Sequence, residues 1–212
     1  MSPPAATNVA ADAPSPDWAF VTCELIRARQ TVLPKRLAGP GPDAGQTQAI
    51  LAAAAAAPDH GQLLPWRFIL VPDGQRATLA DVFAQALLAR DASATPEQLA
   101  QAREKAFRAP LLMLAVVDAA KGNDPDVDLN ERILSAGCAV QNMLLMATAL
   151  GFGSALTSGK ALKSGTLRAC FGLSAAEQAL CFISIGTVAS RRPARARPTV
   201  ADYVSTLGSG AT

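Results

Sequence analysis

Pro58 and Pro65 bracket the segment Ala57-Pro58-Asp59-His60-Gly61-Gln62-Leu63-Leu64-Pro65-Trp66-Arg67-Phe68. A proline inside a helix or a central strand removes a ladder hydrogen bond, so neither element runs through this stretch. The alanine-rich run before Pro58 and the apolar run 68–71 therefore belong to a helix and then a strand, joined by a loop. That loop holds the only histidine of the chain and one of its two tryptophans. Polar and special-geometry residues crowded at such a junction mark a loop built to hold something. The sequence has no self-contained catalytic constellation and no identifiable catalytic acid or base. Chemistry here calls for a borrowed cofactor.

The other elements follow from period and punctuation. Residues 18–29 predict a helix in which Phe20, Cys23, Leu25 and Ile26 form one apolar stripe, ended by Pro34. Gly39-Pro40-Gly41-Pro42 is an irregular connection, and Asp43 caps a helix running through Ile50 to Ala57. The run 68–71 lacks alternation and predicts a strand buried on both faces. Pro72-Asp73-Gly74 turns into a helix over 75–90, with Leu79, Val82, Phe83, Leu87 and Leu88 at helical spacing. Thr95 caps another helix, with Pro96 at its first position, that reaches about Arg108. A second buried strand covers 111–117. A polar loop covers 119–128, and a long apolar helix covers 129–150, stopped by Gly151-Phe152-Gly153. Residues 154–157 suit a short strand, 165–171 a small helix, and 180–185 a last strand closed by Gly186. Many helices and few strands predict an α+β, or three-layer, arrangement around a small central sheet. Residues 1–16 are expected as a disordered tail, 17–205 as one domain and 206–212 as a flexible tail.

Apolar residues make up 50% of the chain and aromatics only 5%, so the core is expected to pack through small side chains, mostly on helices. A formal net charge of +2 is too small to point to nucleic acid. Four cysteines far apart in sequence, with one histidine, make a zinc site an unsuitable reading; buried reduced thiols of a cytoplasmic protein are expected. The N-terminus has no basic start and no continuous apolar run, so no secretory signal is expected. The helix around 134–150 carries Gln141, Asn142 and Thr148 and is short for a membrane span. Ser154 and Ala161 break the pattern of a phosphate-binding loop around Gly159-Lys160.

Four segments, in order, resemble the nitroreductase family of FMN-dependent oxidoreductases. Arg29-Gln30-Thr31 stands where that family often has Arg-Arg-Ser. The junction Ala57-Pro58 to Pro65-Trp66-Arg67-Phe68 is similar to its Ala-Pro-Ser and Gln-Pro-Trp-x-Phe. Ser135-Ala136-Gly137-Cys138-Ala139-Val140-Gln141-Asn142, followed by Leu150-Gly151-Phe152-Gly153, resembles its long helix and glycine exit. Gly186-Thr187 and the arginine-rich stretch behind it resemble its last strand and phosphate-binding arm. The likeness covers about residues 20–200. The Pro-Asp-His form of the junction and the short length fit the compact branch of NAD(P)H nitroreductases.

The resemblance implies a mostly antiparallel sheet flanked by helices and a homodimer with FMN at the subunit interface. It also implies ping-pong transfer of hydride from NAD(P)H through flavin to a nitro compound, quinone or similar small acceptor. It assigns cofactor contacts to Arg29, Gln30 and Thr31, to Ala56, to His60 from the partner subunit, to Leu156, Thr157 and Ser158 beside the ring, and to Arg195 and Arg197 at the phosphate. Gln30 lacks the charge of the family's second arginine, whereas Thr31 keeps the hydroxyl. Arg27 is a replacement by composition, but its place on the helix points it elsewhere. Two alternatives stay open: a flavin-binding protein of the same fold that is not a nitroreductase, and a non-enzymatic interaction protein using a basic arm over 191–197.

Overall fold

The computed structural model describes residues 17–190, 193 and 196–208. The expected tail at 1–16, and residues 209–212 of the expected tail at 206–212, lie outside the described residues. Six α-helices are present among them: α1 (Trp18–Ala28), α2 (Ala44–Ala53), α3 (Arg76–Leu88), α4 (Pro96–Glu104), α5 (Leu129–Ala149) and α6 (Gly165–Cys170). Five strands, β1 (Leu37–Ala38), β2 (Trp66–Leu70), β3 (Leu111–Asp118), β4 (Gly153–Thr157) and β5 (Glu177–Val188), form one sheet in the order β1-β5-β3-β2, with β4 also on β5. Every strand pairing is antiparallel.

The helix boundaries sit where side chains satisfy backbone groups that the helix itself leaves open. Asp43 and Gln46 cap α2 reciprocally, as Thr95 and Gln98 cap α4. Asp128 accepts from the Glu131 N–H at the start of α5. At its far end the Phe152 N–H donates to the Ala147 carbonyl at 2.9 Å and the Gly151 N–H to Thr148 at 3.0 Å. That double bond pattern needs a left-handed residue, and Gly151 supplies it at φ 86°.

The sheet separates two cores. Met113, Ala115, Ile183 and Ile185 face α2 and α5, meeting Ile50, Ala139, Val140, Met143 and Ala147. Leu112, Leu114, Val116 and Phe182 face the other way, onto Leu79, Ala80 and Val82 of α3 and Leu167 of α6. The alternation of β3 between these sets is the two-residue period of a strand buried on both sides. The rings of Phe83 and Phe171 close edge-on against Phe182, at 5.5 and 5.9 Å between centroids.

Several expectations are corrected. The run at 68–71 is an edge strand, beginning at Trp66 and pairing only with β3, and Leu70 is exposed. The alanine helix gives way to a 3₁₀ turn over Ala54–Ala56, because Pro58 takes away the donor that another turn needs. The last strand starts at Glu177 and runs through Gly186 to Val188, since it must pair with β3, β4 and β1. The apolar residues of α1 are mostly open: Trp18, Phe20, Val21 and Ile26 are exposed, Leu25 is half-buried, and the helix fully buries none of its residues. The cysteines are unpaired, but Cys23 and Cys170 are exposed rather than buried. Burial pushes the Cys181 thiol up to about 11. No helix among the described residues is long and apolar enough to cross a membrane.

A bidentate pair ties the edge strand to the middle of the sheet. Arg67 Nε and Nη2 donate to Glu177 at 2.6 and 3.2 Å, and the Ser174 N–H donates to the same carboxylate at 2.9 Å. The Arg67 hydrogen bond is the main reason that the Glu177 carboxyl is held below the ordinary glutamate range. A depressed carboxyl stabilises the fold above the unfolded-state value and stops doing so as pH falls through the lowered one. Arg67→Met is expected to lower stability by about 1–2 kcal/mol at neutral pH, a modest figure because Arg67 is half exposed. The difference between the two proteins should shrink as the pH is lowered below the glutamate range, read from urea midpoints across pH.

Candidate functional site

A cleft of about 610 Å³ opens where the chain leaves α1 and crosses the end of the sheet. This is within the usual size of a small-molecule site. Its floor is formed by Gly151, Phe152 and Gly153, just before and at the start of β4. A Cβ on Gly153 would lie 2.6 Å from Val188 Cγ2 and 3.0 Å from both Leu37 Cδ2 and Val32 Cγ2. The missing side chain lets the segment after α1 lie directly on the sheet. Thr31 bridges Ser154 there, and the Val32 N–H donates to the Ser154 carbonyl at 2.9 Å.

Arg29, the C-cap of α1, lines this cleft with Gln30 and Thr31. Arg197 reaches it from the C-terminal arm and donates through Nη2 to the Arg29 carbonyl at 3.0 Å. Arg36, which sequence reasoning missed, lines it as well. Pro34 starts a short 3₁₀ turn over Pro34–Arg36, and its tight pitch brings the arginine back toward the cleft. The signal in the sequence was there: a proline two residues before a basic residue, so close after the Arg29 segment. Arg27 is not part of the cleft lining and pairs with Glu24 at 3.2 Å on the helix surface. The lining residues thus include three arginines, a glutamine, two threonines and a serine, and no carboxylate. Such a set suits an anion with several acceptor oxygens, such as a phosphate monoester.

The other candidates stand apart from that lining. Leu156 and Thr157 end β4 and Ser158 follows it, all exposed. Ala56 closes the 3₁₀ turn after α2 and is exposed. Arg195 lies outside the described residues, as do Arg191 and Arg192. No group of side chains able to hold a metal ion occurs among the described residues.

His60 sits in a second, separate construction. Its Nδ1 is 2.8 Å from Glu131 Oε2 in the first turn of α5. That hydrogen bond is the leading cause of a raised imidazole pKa. The loop around it is strained: Gln62 and Leu64 have φ of 51° and 50°, and Asn123 in the facing loop has 50°. Residues other than glycine pay of order 1–3 kcal/mol for such backbone, and it persists only where neighbours dictate it. Asp59 dictates part of it by accepting the Leu64 N–H at 2.7 Å. Arg132 dictates more: although nearly fully buried, it donates to the carbonyls of Val127, Lys121 and Asp124 at 3.0, 2.6 and 3.1 Å. Trp66, at the end of the junction, is fixed by its Nε1–H to Ser135 Oγ at 3.0 Å and by Phe68, 5.5 Å away between centroids.

With fold and cleft in view, the comparisons with known proteins converge. The sequence model of the Nitroreductase family matches residues 26–187. "Putative NAD(P)H nitroreductase YdjA" of Escherichia coli K12 is 35% identical over 164 residues, 77% of this chain and 86% of that protein. Among solved structures, the nitroreductase-like family protein of Bacillus cereus superposes with a TM-score of 0.71 at 18% identity, over 87% of this chain and 94% of that one. A nitroreductase with bound FMN from Desulfitobacterium hafniense superposes with a TM-score of 0.65 at 19% identity, over 87% and 97%. This α+β fold is that of the nitroreductases, and the chain belongs to the Nitroreductase family.

Arg132→Met is expected to cost about 3 kcal/mol, because three carbonyls lose a charged donor inside the protein. Urea unfolding measures the loss, and amide exchange should quicken over 119–127 before it does elsewhere.

Proposed function

We propose that this chain is an FMN-dependent oxidoreductase that takes hydride from NAD(P)H and passes it to a nitroaromatic, a quinone or a similar small acceptor. The observation that carries the proposal is the cleft where Arg29, Arg36 and Arg197 converge with no acidic residue in its lining. The name of the Escherichia coli relative supports the reductant, and the FMN-bound fold relative supports the cofactor. When bound, FMN supplies the hydride chemistry. The protein supplies the rest. The three arginines, with Arg195 assigned beside Arg197 on resemblance alone, hold the phosphate through charge-assisted hydrogen bonds. Gln30 and Thr31 hold the ribityl chain. Leu156, Thr157 and Ser158 offer main-chain groups to the ring, for which an exposed leucine is no obstacle.

A homodimer is part of the proposal. Trp18, Phe20, Val21 and Ile26 of α1 and Leu134 of α5 are exposed, with relative exposures from 46% to 70%. A second copy covering this apolar surface is the source of the partner His60 that the resemblance sets beside the ring. Sedimentation at micromolar concentration is expected to give a dimer.

Arg29→Ala and Arg197→Ala are each expected to weaken FMN binding by roughly tenfold or more, the worth of one charged hydrogen bond to phosphate. Quenching of FMN fluorescence on titration measures this. Steady-state NADPH oxidation with a quinone or nitroaromatic then tests turnover. Bound FMN that neither NADH nor NADPH bleaches would instead assign the chain to flavin-holding proteins that are not reductases.

A further inference from the structure

We infer that Glu131 is the positioning residue for His60, holding Nδ1 so that Nε2 is the ring atom offered to the flavin across the subunit interface. The inference rests on the flavin reading above. Its geometry is independent of that reading: the 2.8 Å contact between His60 Nδ1 and Glu131 Oε2 joins segments 71 residues apart. Within one subunit the side chains are 65% and 46% exposed, so the pair adds little to the stability of the single chain. Yet both segments are held in place at a cost. Gln62 and Leu64 on one side and Asn123 on the other adopt left-handed backbone. Leu63 occupies the space that a side chain on Gly122 would need, so the two loops are in direct contact. The buried Arg132, next to Glu131 in sequence, anchors the second loop through its carbonyls. Strain kept in two touching loops for the sake of an exposed pair is explained by where the pair must be.

The consequence is chemical. With Nδ1 facing a carboxylate, the cationic ring presents Nε2–H as a donor. When that proton leaves, the remaining one stays on Nδ1 and Nε2 becomes an acceptor. Glu131, and more weakly Asp124 and Asp59, favour the charged ring. The cations on these segments are Lys121 and Arg132, and the Arg132 guanidinium is committed to carbonyls. The donor form therefore persists to higher pH than for a free histidine and fades as pH rises through the raised value. A donor at Nε2 favours the negative charge that reduction brings to the flavin.

The chain has a single histidine, so its imidazole resonances titrate without ambiguity. The test uses full-length protein loaded with FMN, as wild type, Glu131→Gln, His60→Ala and the double variant. Glu131→Gln is expected to lower the histidine pKa by NMR. It should also lower the two-electron reduction equilibrium of bound FMN at pH 7 by about threefold, near 15 mV. In the His60→Ala background the same substitution should change nothing. An unchanged histidine titration in Glu131→Gln overturns the inference, since the pair then does not form in solution. A lowered pKa with unchanged potential overturns it too, while leaving the flavin reading intact. Wild-type protein that retains no FMN overturns both.

Discussion

Gly153 is the position on which the site depends. A methyl group there would collide with Val188 and crowd Val32 and Leu37 as well. Because that methyl is absent, the segment after α1 comes down onto β4 and locks there through Thr31 and Val32 to Ser154. Arg29 is thereby held at the rim of the sheet rather than trailing from a helix end, and Arg36 and Arg197 join it. A guanidinium on a mobile terminus loses much of its worth to ordering entropy. One fixed by its own backbone does not.

The same logic governs the long helix behind the cleft. α5 packs its small residues against the sheet and ends at Gly151, so the chain turns at once into the cleft floor and β4. Its start holds Glu131 and Arg132, and its middle holds Ser135, the partner of Trp66. One rigid element thus positions the junction loop at its first turns and the cleft floor at its last. Rigid supports of this kind hold the groups of a site in a fixed relation to one another.

Where the sequence could be read, local chemistry made it so. Asp43, Thr95 with Pro96, and Gly151 all announce helix ends, and the helices end there, with Gln46 and Gln98 completing the caps in the structure. The apolar run of β3 announced a buried strand for the same reason. What could not be read depends on partners far away in sequence. Phe68-Ile69-Leu70 looks as apolar as β3, and only the strand order makes it an edge. Glu177-Gln178-Ala179 looks like a loop, yet it pairs with β3 because β3 is longer than the last apolar run. The two residues of β1 carry no pattern at all. In the candidate site, Arg29, Gln30, Thr31 and Arg197 line one cleft together with Arg36, which the short turn after Pro34 returns to it and which no motif singled out.

Arg132 shows why single-sequence reasoning underestimates such sites. An arginine one turn into a helix is ordinarily a solvated residue, and nothing nearby in sequence says otherwise. Its burial follows from the loop before it, whose carbonyls have no ladder to join and find their donors in one planar cation. In that loop Asn123 is left-handed, and Gly122, having no side chain, leaves room for Leu63 of the facing loop. The two loops thus meet at Gly122 and Leu63, and His60 of the far loop pairs with Glu131, next to Arg132. One buried guanidinium therefore orders a loop 121–127 that lies against the His60 loop, and the imidazole's partner, Glu131, is 71 residues away, where no local motif encodes the pairing.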